Sequence, residues 1–415
     1  MIHMSRLLCS MACLASGWLL TGEPVLADDW TSFRGNDSSG ISGDAGLPLQ
    51  LSDSRNLAWK VELPGRGPSS PIVVGDRVFV TCSGGPAEDQ LYLVCFDRHH
   101  GAKLWQRRFQ ATGRSHCHPL SANAAPTPCS DGDSIFALFS SNDLVCTDLD
   151  GNLKWFRGLA IDHPKAGHDT GMSSSPAVHG NIVVCQVENQ GDSFATALDT
   201  RTGETVWEIP RPADASWASP VIFTSGPGQR ACCLLTSGDR ATVVALETGE
   251  TLWEKTGRGN PIPSASVSQG RLLLPLDGTT LVEVDDQGKF SETWSSSRLA
   301  AGSASSLLDD NRVYAIGRGG ILGCFNALDG ERIWQTRVGG QHWTTPLVAG
   351  SHAYMFAQDG TVSVISLADS VGDDSRLVHS HRFEGEVFLG SPAVSDGAIY
   401  MRSDRYLYKF ARDPA

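Results

Sequence analysis

The chain has 415 residues, with 33 Lys+Arg against 46 Asp+Glu and a formal charge of -13. That acidic balance argues against a dedicated nucleic-acid or anionic-membrane binder, because both need a basic face. Glycine stands at 44 residues and charged residues at 19%, a turn-rich globular composition and not a disordered one.

The N-terminus reads as a leader. Arg6 gives a basic start, Leu7 to Leu20 is apolar, and Val25-Leu26-Ala27 offers small residues for cleavage after Ala27. A secretory signal peptide over 1–27 is expected, and with it a secreted or periplasmic protein. Cys9 and Cys13 lie inside the apolar stretch instead of just after it, so no lipid anchor is expected. No internal apolar run approaches the ~20 residues of a membrane span. Residues 28–55 are expected to form an arm packed on the surface of the domain that follows. Nine cysteines remain, from Cys82 to Cys324, with no C-x-x-C. An odd number at irregular spacing is neither a disulfide framework nor a zinc ribbon. The adjacent Cys232 and Cys233 read as opposite-facing residues of one strand.

The rest of the chain is one motif repeated. Trp59 comes first, in NLAWKVELPG. A Gly followed by Trp then recurs at Trp105 (HHGAKLW), Trp155 (LDGNLKW), Trp207 (TRTGETVW), Trp253 (ETGETLW), Trp294 (DQGKFSETW) and Trp334 (LDGERIW). Phe383 in HSHRFEG reads as the eighth member. The steps are 46, 50, 52, 46, 41, 40 and 49 residues, the period of a four-stranded propeller blade. Each unit opens with a small-residue and proline run into a short strand, as in SSPIVVGDRVFV from Ser69 and SSPAVHGNIVVC from Ser174. A Gly or Asp turn, a second strand, a third strand and the Trp strand follow. The stretch Gly317-Arg318-Gly319-Gly320 reads as a turn between two strands.

The strand over 56–63 precedes any opening strand, and the last unit stops after its third strand. The first can therefore complete the last blade as its outermost strand, which removes two open edges. The expectation is all-β: one eight-bladed β-propeller of four-stranded antiparallel blades over 56–412, with seven blades as the alternative count. A monomer is expected.

The pattern A-x-D-x-x-T-G-x-x-x-W, at Ala197, Asp199, Thr202, Gly203 and Trp207, resembles the docking motif of the pyrroloquinoline quinone (PQQ) repeat. The resemblance covers about 56–412. It implies that the seven tryptophans pack between neighbouring blades, on turns that glycine permits. The start W-x-x-F-R-G, at Trp30, Phe33, Arg34 and Gly35, is similar to that of secreted bacterial PQQ-like propellers whose activity is mostly unassigned. So is His118-Pro119 leading to Pro126-Thr127-Pro128. Leu120 and Ser121 depart from a Lys-Asn pair common there.

The wider superfamily offers two further readings: a PQQ- and Ca²⁺-dependent quinoprotein oxidoreductase, or a BamB-like outer-membrane protein assembly factor. A carboxylate base, calcium ligands and an aromatic floor cannot be placed on this sequence. The expectation is therefore a non-catalytic binding or scaffold module for a protein, peptide or small ligand, with no cofactor and no resident metal. The loops joining one blade to the next share one face. They carry His116, His118, His163, His168, Asp169, Trp217, His342 and Trp343, a candidate ligand cluster around the channel rim.

Overall fold

The computed structural model describes residues 29–226 and 228–412. The leader read in residues 1–27 lies outside the described residues. Eight antiparallel four-stranded sheets follow one another around an axis. Seven span 72–110, 129–158, 177–210, 221–256, 266–296, 307–337 and 347–382. The eighth takes its three inner strands from 393–411. Its outer strand is Leu57–Glu62, paired antiparallel with Tyr406–Ala411 and with Trp59 opposite Lys409. Inner strands are short, as in Ile72–Val74 and Ala177–His179, because eight of them crowd around one axis. Among the described residues no helix is long and apolar enough to cross a membrane.

The tryptophans lock each blade to its neighbour. A β-bulge lies beside the Trp position of the outer strand in every blade, for example between Ala197 and Leu198 opposite Trp207. A bulge sharpens local twist and re-aims the side chain, here towards the next blade. Trp155 lies on Gly203 of the following turn, where an added Cβ would come within 2.7 Å of the indole. Its Nε1 donates to Thr200 O at 2.8 Å. Trp59, Trp105, Trp207 and Trp294 repeat both contacts, on Gly101, Gly151, Gly249 and Gly330.

Two seams differ. Trp253 stacks on Phe290 at 5.1 Å, and Trp334 lies under the Arg376 guanidinium at 4.0 Å. A third position corrects the sequence reading. In the seventh blade His379, and not Phe383, stands opposite Val364 beside the bulge. His379 Nε2 lies 3.0 Å from Leu51 O, the same ring-nitrogen-to-carbonyl contact that the indoles make. Phe383 is instead buried among Phe388, Tyr408 and Phe410.

The arm also departs from expectation, because half of it lies inside the ring. Trp30 exchanges two backbone hydrogen bonds with Val73 of the first blade, and Thr31 O accepts from Ser130 N of the second. Arg34 reaches Ala265 and Ser266 of the fifth. Ile41–Ser42 then runs parallel to the inner strand Leu347–Ala349 of the seventh. One segment can meet the inner strands of blades 1, 2, 5 and 7 only from within the channel. It enters from the face bearing the hairpin turn at Gly75, where Asp29 caps the Gly75 N–H. It leaves by the same face, where Asp44 accepts from Gly397 N. Only its second half lies outside, with Leu47 and Leu51 buried and Asp53 beside His381 of the seventh blade.

The nine cysteines from Cys82 onward are free thiols. Cys232 packs into the core between blades four and five and Cys233 into the core between three and four, as alternation along a strand requires.

The Trp-on-Gly contact makes a differential prediction within one blade. Gly203 and Gly180 both have positive φ, +72° and +57°, but a Cβ at Gly180 meets nothing within 4 Å. Gly180→Ala is expected to cost about 1 kcal/mol for the backbone alone. Gly203→Ala adds displacement of Trp155, for a total of roughly 2–4 kcal/mol. Urea unfolding of both variants checks this, and equal losses would refute the steric account.

Candidate functional site at the channel mouth

The face opposite the arm's entry carries the eight connections between blades. They surround a pocket of about 320 Å³ at the channel mouth. Each connection supplies rim: Pro68, His118 with Leu120, Thr170, Trp217, Ile262, Ser303, Trp343 and Leu389. Phe33, at the top of the arm's hairpin, closes the bottom.

Below the rim runs a ring of hydroxyls, one per blade: Ser70, Thr127, Ser175, Ser219, Ser264, Ser305, Thr345 and Ser391. These residues stand where the inner strands begin, at the sheet edge, so their backbone N–H groups have no ladder partner. The next blade's hydroxyl supplies one. Ser391 N donates to Ser70 Oγ (2.9 Å), Ser70 N to Thr127 Oγ1 (2.8 Å), and Thr127 N to Ser175 Oγ (3.0 Å). The chain continues through Ser219, Ser264 and Ser305, and Thr345 N donates to Ser391 Oγ. Each hydroxyl that accepts an N–H keeps its own proton to donate towards the pocket.

Arg34 lies beneath Phe33, 1% exposed, with φ +67°. Its Nη1 donates to Ser266 Oγ at 2.9 Å and its Nη2 to Ala265 O, while Nε has no partner. Burial lowers its pKa to about 10, opposed by Asp37. The floor of the pocket thus rests on a buried cation.

The structure divides the eight rim residues expected from sequence. His118, Trp217 and Trp343 line the pocket. Leu120 N donates to His118 Nδ1 at 3.1 Å, so the neutral ring carries its proton on Nε2 and can donate from there. Trp217 is held by its Nε1 bond to Gly171 O (2.8 Å), and Trp343 by one to Gln358 Oε1 (2.8 Å).

His168 stands behind the wall, its ring 4.6 Å from that of Trp217. His342 is half-buried, with Nε2 2.8 Å from Gly339 O. The other three do not converge on the pocket. His163 stacks on Phe194 at 3.8 Å and meets Glu208, Asp169 pairs with Arg114, and His116 is exposed. Chain order placed all eight on one face, but side-chain direction separates them. The hydroxyl ring, Phe33 and Ile262 were missed as site residues. The recurrent small-residue and proline run was the available signal for the ring.

Among the described residues, no group of three or more His, Cys, Asp or Glu is placed to hold a metal ion.

A family model described as outer membrane protein assembly factor BamB matches residues 49–208 and 191–413. The chain belongs to this PQQ-repeat propeller family. No curated protein matches the sequence. Among solved structures, BamB from Moraxella catarrhalis is 15% identical, with a TM-score of 0.59 over 86% of this chain and 98% of that one. A europium-containing methanol dehydrogenase is 12% identical, with a TM-score of 0.65 over 93% and 98%. The quinohemoprotein alcohol dehydrogenase of Comamonas testosteroni is 13% identical, with a TM-score of 0.68 over 94% and 82%. At such identities the likeness is one of fold.

The two histidines behind the wall give the site a pH dependence. Burial lowers the pKa of both. For His168 the Asp169 carboxylate opposes burial and Arg114 reinforces it. His168 Nε2 and His342 Nδ1 are buried without a partner. A histidine with a lowered folded pKa resists protonation. Its contribution is complete above the unfolded value of about 6.5 and is lost as pH falls below it. The urea midpoint is expected to drop between about pH 7.5 and about pH 5, and to drop less in the double variant His168→Gln, His342→Gln. Equal drops would remove these histidines from the account.

Proposed function

We propose that this propeller is a binding module that takes a small, partly apolar ligand, or the end of a larger chain, into the channel mouth. The observation that carries this is the construction of the pocket: two tryptophans on its wall, Phe33 as its floor, and a belt of hydroxyl donors between them. An apolar cleft with a few convergent polar groups is the usual form of a ligand site. Leu120 (40% exposed) and Trp343 (37% exposed) extend apolar surface beyond the mouth. That supports a protein or peptide as the body to which such an end belongs, in keeping with a scaffold role in the secreted or periplasmic space.

The dehydrogenase-like fold raises PQQ and calcium, and the lining does not fit them. A calcium site needs carboxylate or carbonyl oxygens, and alcohol oxidation needs a carboxylate base. The pocket is lined by no Asp, Glu, Lys or Arg. Neutral hydroxyls and indoles can orient and enclose a ligand but are no base for an alcohol proton, and the one imidazole in the lining, His118, has its Nδ1 taken by the Leu120 N–H.

Titration of the mature protein with PQQ plus Ca²⁺, followed by absorbance, is expected to give no stoichiometric binding and no dye-linked alcohol oxidation. Small aromatic probes are expected to quench tryptophan fluorescence saturably. Their affinity should weaken about tenfold or more in Trp217→Ala and in Trp343→Ala. Stoichiometric PQQ binding with turnover would overturn the proposal.

A further inference from the structure

The seam between the fifth and sixth blades is open where others are filled. Phe109 meets Phe156 between blades one and two, His163 covers Phe194 between two and three, and Trp253 covers Phe290 between four and five. At the fifth–sixth seam Trp294 covers only the low turn at Gly330. Above it the sixth blade presents Ala315, Gly317 and Gly323. The Phe325 ring folds back over Gly323, where an added Cβ would come within 2.6 Å of it. What remains is a groove of about 750 Å³.

Its charge runs against that of the chain. Arg298, Arg318 and Arg332 line it, with Glu331 as the only carboxylate. Arg318 is the arginine of the Gly317–Gly320 hairpin, set among glycines that leave it unobstructed. Arg332 Nη1 bonds Gln335 Oε1 at 2.9 Å. Among the described residues, the side chains of Arg298 and Arg318 have neither a hydrogen bond nor an ion pair. Exposed Arg108, Arg201 and Arg258 also lack a side-chain partner, but Arg298 and Arg318 line one and the same groove. Arg77 finds Asp150 at 2.7 Å, Arg157 finds Asp162 at 2.9 Å, and Arg312 finds Asp369 at 2.6 Å. Two unpaired guanidinium forks lining one groove are matched to oxyanions that accept two parallel N–H bonds.

We propose that this groove binds an anionic glycan, through the carboxylate or sulfate groups it carries. The guanidinium groups take the oxyanions. Ser295, Ser297 and Gln335 offer hydrogen bonds to sugar hydroxyls, and Phe325 gives a half-buried ring against which a sugar face can lie. A peptide is the weaker fit, because the groove has no deep apolar pocket for an anchoring side chain. The site is separate from the channel mouth and does not depend on its function.

Affinity electrophoresis of the mature protein tests this at about 0.15 M salt, where the Debye length is ~8 Å and the long-range repulsion of an acidic chain is screened. The gels contain polygalacturonate, dextran sulfate, neutral dextran or poly-glutamate. Retardation is expected with polygalacturonate, dextran sulfate or both, and not with neutral dextran. The first two gels identify which oxyanion is preferred. The double variant Arg298→Glu, Arg318→Glu should weaken binding about tenfold or more with an unchanged circular dichroism spectrum, and Trp217→Ala should leave it intact. Absence of retardation in both glycan gels would overturn the proposal. So would retardation that survives the double variant, or stronger retardation by poly-glutamate than by either glycan.

Discussion

The contact on which this molecule depends is an indole laid flat on a glycine of the next blade. A blade alone has two apolar faces and cannot bury either one. The outer-strand bulge turns Trp155 out of its own sheet, and Gly203 lets it approach a backbone that any side chain would hold away. The indole N–H then closes on Thr200 O, so the large apolar ring is buried without stranding its polar atom. Truncating such a ring typically costs about 3–5 kcal/mol. At two seams the indole takes another cover: Arg376 for Trp334 and Phe290 for Trp253. The requirement is for a flat partner, and glycine is its commonest solution here.

Eight blades joined around an axis, five of them by this contact, have two consequences. The inner strands begin at a sheet edge with unpaired N–H groups, and a hydroxyl from the neighbouring blade meets that need at seven junctions. A ring of this size also leaves a channel wide enough for more chain. The arm enters it, with Trp30 on the first blade and Arg34 on the fifth. The channel is thereby closed from one face and becomes a pocket on the other. The site is thus a by-product of how the ring is held together and filled.

The blades were legible because their signal is local. A turn that must carry a Trp needs Gly a few residues away, and that spacing survives in the bare sequence. Phe383 was misplaced because an aromatic was sought near the expected period. The position is set by the bulge, where His379 stands and makes the ring-nitrogen contact. The arm's course could not be read, since Arg34 meets Ser266, 232 residues away, and nothing near Arg34 announces that partner. The rim histidines fell between these cases. Chain order gives the face, but only packing decides that His168 goes behind Trp217 while His163 turns out to Phe194.

A repeat that satisfies its structural needs in nearly the same way eight times leaves chemistry to the positions that break the pattern. Six of the inner strands open with Ser-Pro or Thr-Pro, and that regularity is structural. The tryptophans at 217 and 343 are not repeated on the other connections, and the glycine at 323 lies where the third blade carries Thr196 and the fourth Thr242 in the same register. Neither departure improves the ring. Exposed indole at a channel mouth and two arginines lining a bare seam are surface that the blade-to-blade contacts do not use. In a closed, self-sufficient ring, surface of that kind is where the binding proposed above would take place.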